Sequence, residues 1–166
     1  RFALSTLGEA PGRRLDHLRC AETLAQTLGD QLRLGQVYAA MSATFWQAGD
    51  VDRAIVYGQR ALAVAATLGQ VGPQARAHLT LGRTYYDTGD YPRAVESLER
   101  NVAPPQGDPR YERFGTNGSV AVASRAWLSL CHAERGAFIE GLALAADGLR
   151  IAETVNDPFS LIVAYN

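Results

Sequence analysis

Phe45-Trp46-Gln47-Ala48-Gly49-Asp50-Val51-Asp52-Arg53-Ala54-Ile55 is followed forty residues later by Tyr85-Tyr86-Asp87-Thr88-Gly89-Asp90-Tyr91-Pro92-Arg93-Ala94-Val95. Each run sets an aromatic pair before a Gly-Asp turn and an Arg-Ala-aliphatic start after it. Thr67-Leu68-Gly69-Gln70 repeats Thr27-Leu28-Gly29-Asp30 at the same period. Self-similarity at a fixed spacing means a row of like units, none of which buries its apolar stripe alone. The fold must therefore be an array.

The stretches between these turns carry helical spacing. Leu15, Leu18, Ala21, Leu24, Ala25 and Leu28 form one apolar face over about 13–28, ended by Gly29 in the left-handed conformation that glycine adopts freely. Leu34, Val37, Tyr38, Met41, Phe45 and Trp46 do the same over 31–48. Ala54, Ile55, Ala61, Leu62, Ala65 and Leu68 follow over 51–68. A further pair is predicted over 74–88 and 91–102, with Pro92 in a first turn where its missing N–H costs nothing. Shifted by 87 residues, a third unit sets His132 for Phe45, Gly136 for Gly49, Phe138 for Val51 and Gly141 for Ala54. Asn156, the residue after glycine that best tolerates a left-handed cap, replaces Gly69 there. The units fall at 1–29, 30–69, 70–117, 118–156 and a partial 157–166. Small residues at Ala54, Ala61, Gly82, Ala94, Gly141 and Gly148 are predicted to let paired helices approach closely.

The chain starts on Arg1-Phe2 and stops on Tyr165-Asn166 without an initiating Met, as expected of a piece of a larger protein. A formal net charge of −1 supplies no basic field for nucleic acid. No apolar run approaches the roughly 20 residues that span a bilayer. Cys20 and Cys131 stand far apart within helical segments, so a reducing cytoplasm is the expected compartment. His17, His78 and His132 are on different helices and offer no metal set. No phosphate-binding glycine loop or nucleophile–base pair occurs, so no cofactor, metal or catalytic residue is expected and the chain reads as a non-enzyme.

The run aromatic–aromatic–x–x–Gly-Asp-x-x-Arg-Ala-aliphatic, with Leu81-Gly82 upstream in the second unit, resembles the tetratricopeptide repeat. The likeness runs from about Gln31 to Glu153 and weakens in the third unit at Ser129 and His132. It implies an all-α, right-handed solenoid of antiparallel helix pairs, with about three full repeats and partial repeats at both ends. A period of forty exceeds the family's usual 34. Leu15-Asp16-His17-Leu18-Arg19, Tyr57-Gly58-Gln59-Arg60-Ala61-Leu62 and Ser124-Arg125-Ala126-Trp127-Leu128 further resemble the C-terminal repeat regions of multidomain bacterial signalling ATPases and nucleotide cyclases. Glu112-Arg113-Phe114-Gly115 resembles them too.

By that resemblance, the first helix of each unit lines a concave groove. Gln36, Trp46 and Gln47, then Arg76, Leu79, Arg83, Tyr86 and Asp87, then Leu130 and Glu134 are the candidate partner-binding residues. Trp46, Tyr86, Arg76 and Arg83 have the aromatic and guanidinium chemistry of recognition hot spots. The alternative for Trp46 and Tyr86 is packing against the next unit. Within the inserted loop 104–117, Arg110, Tyr111, Arg113 and Phe114 either shape one end of the groove or belong to a plain spacer. The implied function is a scaffold for a protein or peptide segment, including another domain of its own parent chain. Two alternatives stand beside it: a small-molecule sensor arm on an attached ATPase or cyclase, and self-association through exposed solenoid ends.

Overall fold

The structure is a computed structural model and describes residues 11–102 and 118–165. Eight helices lie among them: α1 (Pro11–Thr27), α2 (Gln31–Gln47), α3 (Val51–Thr67), α4 (Val71–Asp87), α5 (Tyr91–Glu99), α6 (Val120–Glu134), α7 (Phe138–Val155) and α8 (Pro158–Tyr165). No strand occurs among the described residues. The inserted loop and its candidates Arg110, Tyr111, Arg113 and Phe114 lie outside them.

Each turn repeats one piece of backbone chemistry. Gly49 takes φ +79° and Gly89 φ +75°. Asp50 and Asp90 then donate their backbone N–H back to Phe45 and Tyr85 carbonyls, both at 2.9 Å. This pattern closes one helix while the same aspartate opens the next. The Asp50 carboxylate accepts from Arg53 N at 3.1 Å and from Arg53 Nε at 2.6 Å. Asp90 and Arg93 repeat both bonds, at 3.2 and 2.5 Å. Hydrogen bonds from Arg53 and Arg93 hold the two carboxyls below the usual carboxylate range. Each arginine also covers the aromatic that ended the preceding helix: Arg53 lies 4.5 Å from the Phe45 ring centre and Arg93 4.6 Å from that of Tyr85. The third unit has lost this device. Ala137 stands at the capping position, makes no side-chain bond, and is followed by Glu140 rather than arginine.

Two helix boundaries differ from the periodic reading. α4 begins at Val71, three residues before the predicted Gln74, because Gly72 and Pro73 fall in the first turn, where N–H groups have no intrahelical partner. α5 ends at Glu99 rather than near Val102. The Asn101 amide ends it by donating to Ala75 O and Ser124 Oγ, each at 2.9 Å. A side chain bonded across to neighbouring helices competes with continuing its own.

The packing order decides which surface is concave. Consecutive helices touch throughout, and α2 also touches α4, α4 touches α6 and α6 touches α8. Among α1, α3, α5 and α7 there is no such contact. One layer is therefore stacked closely while the other fans apart, so α2, α4 and α6 form the inner wall of a helical-repeat solenoid. The seam inside each pair is made by size. Ala54 and Ala94 are wholly buried, beneath Met41, Phe45, Leu81 and Tyr85. Ser42 donates to the Ala54 carbonyl at 2.7 Å, a contact possible only where the backbones are close. Glycine is required where a side chain from the partner occupies the space. A Cβ on Gly82 would collide with Leu98, and one on Gly58 with Leu81 and Ser42.

One further position shows how much chemistry the frame tolerates. Residues 38, 78 and 125 are repeat equivalents, as are 60, 100 and 147 on the following helix. In the first unit Arg60 lies 5.8 Å from the Tyr38 ring centre. In the third, buried Arg125 donates to Asp147 at 2.6 Å. In the second, His78 meets Arg100, its Nδ1 is buried without a partner, and burial, then Arg100, push its pKa down, against Glu96.

Two outcomes follow from these differences between units. A137D supplies the absent cap and should raise unfolding free energy by about 1 kcal/mol, while D50A and D90A should each lower it by about as much, read by urea denaturation. His78 titrates at lower pH folded than unfolded, so the unfolded chain binds the extra proton and stability falls as pH drops through about 6.5. H78Y, which copies the Tyr38–Arg60 pair, should flatten that part of the stability–pH curve between about pH 7 and pH 5.

Candidate functional site

The inner wall has two side-chain clusters, and each joins one unit to the next. In the first, Trp46 Nε1 on α2 donates to the Asp87 carboxylate on α4. Arg83, one turn before Asp87, lays its guanidinium 3.7 Å from the Trp46 ring centre. The indole is thus held at its N–H by an acid and on its face by a cation, an arrangement favoured by the ring's negative face. Arg83 is half-buried, and its Nε is buried without a hydrogen-bond partner. Burial pulls its pKa down to about 10, against the opposing pull of Asp87.

The second cluster repeats the geometry one unit along. Tyr86 Oη donates to Glu134 Oε1 at 3.4 Å. Its ring meets Trp127 edge-on at 5.3 Å between centres and Tyr91 at 5.7 Å. Burial raises the Tyr86 phenol pKa, and the Glu134 charge adds to the rise. Tyr91 is raised for the same two reasons in the same order. Trp46 and Tyr86 are repeat equivalents, and so are Asp87 and Glu134. The inner wall therefore carries a ladder in which the aromatic of one unit donates to the acid of the next.

This ladder distributes the candidate residues unevenly. Trp46, Arg83 and Asp87 come together, as do Tyr86 and Glu134. Gln47 and Leu130 are exposed on the same wall, and Gln47 has no side-chain hydrogen bond among the described residues. Leu79 is half-buried and packs against the cluster around Leu81 and Leu98, so it serves the core as well as the face. Gln36 stands apart at the far end of α2. It lines a cleft of about 320 Å³ between α1 and α2 with Leu18, Leu24, Leu28 and Arg33. Arg76 is half-buried, two turns before Arg83 on α4.

Trp127 and Tyr91 are absent from the candidate partner-binding residues. Trp127 is the repeat equivalent of Ala40 and Thr80, neither of which is a groove candidate. The signal available was the size anomaly, since a tryptophan replaces a small residue in one unit only. No group of three or more His, Cys, Asp or Glu suited to a metal occurs among the described residues, and no described helix is long and apolar enough to cross a membrane.

Breaking the ladder at one rung should uncouple adjacent units. W46F and D87N, measured singly and together by chemical denaturation, should show a coupling energy of about 0.5–1 kcal/mol, the range for a partly exposed charge-assisted hydrogen bond. Additive effects would mean that the bond contributes nothing to holding the units in register.

Residues 45–115 match the family model of the tetratricopeptide repeat. The matched stretch opens on the aromatic pair at Phe45 and contains the Trp46–Asp87 rung of the inner wall and the Tyr86 side of the next. The chain has no match among curated proteins.

Proposed function

We propose that this chain is a non-enzymatic scaffold whose inner wall binds a protein or peptide segment. The observation that supports it is the stacking of α2, α4 and α6 into one continuous surface, fixed in register by the Trp46–Asp87 and Tyr86–Glu134 rungs. A surface held by its own side chains is preorganised, so a ligand need not supply the cost of ordering it. Tetratricopeptide repeats, which residues 45–115 match, generally serve as protein-interaction scaffolds.

The setting belongs to the same reading. The runs around Leu15, Tyr57 and Ser124 support a place in a multidomain bacterial signalling protein, where the bound segment could come from the parent chain itself. Cys20 and Cys131 are both free thiols, which fits a reducing cytoplasm.

Trp46 and Tyr86 serve structure as well as surface, so their removal is a poor probe of binding. Leu130 is 44% exposed on the wall and belongs to none of the core clusters among the described residues. L130D should leave the melting curve in place and reduce capture of wall-binding peptides on an array by about tenfold or more. Retention of every array ligand by L130D, alongside a Q47A variant that also binds normally, would overturn the reading.

A further inference from the structure

The wall carries two acids and two arginines from among its candidate residues, but they are not equally available. The Asp87 carboxylate accepts from Trp46, and the Glu134 carboxylate accepts from Tyr86. Neither Arg83 nor Arg76 has an ion pair or a side-chain hydrogen bond among the described residues. Arg83 is held in place by stacking on Trp46, which uses the plane of the guanidinium; its Nε–H is buried, and its two terminal Nη groups are left without a partner among the described residues. A half-buried guanidinium whose terminal Nη groups lack a partner, fixed in orientation before any ligand arrives, is matched by a carboxylate, whose two oxygens accept from those two groups end-on.

Spacing then limits the ligand further. Arg76 and Arg83 are seven residues apart on α4, which is two turns and about 10 Å along one face. A polyproline II chain rises about 9 Å in three residues and brings the side chain back to the same face. Resting on the scaffold reading above, we propose that the inner wall takes an acidic segment in polyproline II conformation, with one side-chain carboxylate on Arg83 above Trp46 and a second, three residues away on the same face, on Arg76. Asp87 lowers the net charge near Arg83 without bonding to it, so selectivity comes from the paired carboxylates rather than from a broad positive field. The ligand groups are side chains, and a free chain terminus is not needed.

The test uses N-acetylated, C-amidated, fluorescein-labelled peptides in an Ala/Ser/Tyr background, read by fluorescence anisotropy against the whole chain. One carries two Glu three residues apart, one two adjacent Glu, one two Gln three residues apart, and one two Lys. The spaced-Glu peptide should bind at least about tenfold tighter than the Gln peptide and should weaken as salt rises. R83K should lose about as much as R83Q, because lysine keeps the charge but not the planar fork. R76Q should erase the preference for spaced over adjacent Glu. Circular dichroism and melting of R83K, R83Q and R76Q identify loss of fold, and R76Q breaks no side-chain hydrogen bond or ion pair present among the described residues.

Equal binding of the Glu and Gln peptides, full affinity in R83Q, or no binding of the spaced-Glu peptide each overturns the inference. Binding of the Gln peptide that L130D abolishes would leave the scaffold reading intact while removing the acidic one. An array on which no peptide depends on Leu130 or Gln47 removes the scaffold reading itself.

Discussion

The close approach of two helices at Ala54, and again at Ala94, governs most of what this chain does. A wholly buried alanine lets the Ser42 hydroxyl reach a backbone carbonyl on the facing helix. That proximity places Arg53 and Arg93 over the rings of Phe45 and Tyr85 while each still bonds the capping aspartate. Turn, cap and core are therefore one unit of chemistry, and weakening one loosens the others. The same proximity sends the residue just before the turn, Trp46 or Tyr86, outward along the stacked layer to the next unit. The surface is a consequence of the seam.

The array, the helix faces and the turns were legible because periodicity and glycine punctuation act locally. Gly49, Gly89 and Gly136 take the left-handed backbone, and so does Asn156 at φ 51°. The errors in helix boundaries have equally local causes read the wrong way. Gly72-Pro73 lies in the one turn that tolerates it, and the Asn101 amide ends α5 at Glu99. The wall was legible only as a set of residues. Trp46 and Gln47 are adjacent in sequence, as Tyr86 and Asp87 are, so a linear reading pairs Trp46 with Gln47. The fold pairs it with Asp87, forty-one residues away. Trp127 stayed hidden for a related reason: its place in the repeat is held by Ala40 and Thr80, and its role exists only because Tyr86 arrives from the neighbouring unit.

Size at the seam obeys the same rule of shared occupancy. Ser42 faces Gly58, and Gly82 faces Leu98; the pairs are repeat equivalents, with the bulk on opposite helices. Judged by single positions, Gly58 and Leu98 look like a mismatch in the repeat. Judged by pairs, each site holds enough volume and no more, which is what close packing demands. Repeats of this kind conserve the filled space between helices while the residue that fills it changes side.

The polar position that joins residue 38 to 60, 78 to 100 and 125 to 147 extends that logic to charge, and shows where it fails. Tyr38 under Arg60 needs no counter-ion, and Arg125 against Asp147 supplies one. His78 against Arg100 does neither, so the histidine stays neutral and its buried Nδ1 stays unpaired. This mismatch falls in the unit that also holds Arg83 with its own orphaned Nε–H. An unpaired buried donor costs stability wherever it occurs, on the order of 1–3 kcal/mol. The two positions differ in what surrounds them. His78 sits beside Arg100, and a change of sequence or of pH alters its state. Arg83 lies on the wall, where its unpartnered Nη groups meet a carboxylate from outside while its Nε–H stays buried. A frame that tolerates the first as a local defect can use the second as a binding site, because the Trp46 stack holds the guanidinium in place without consuming its hydrogen bonds.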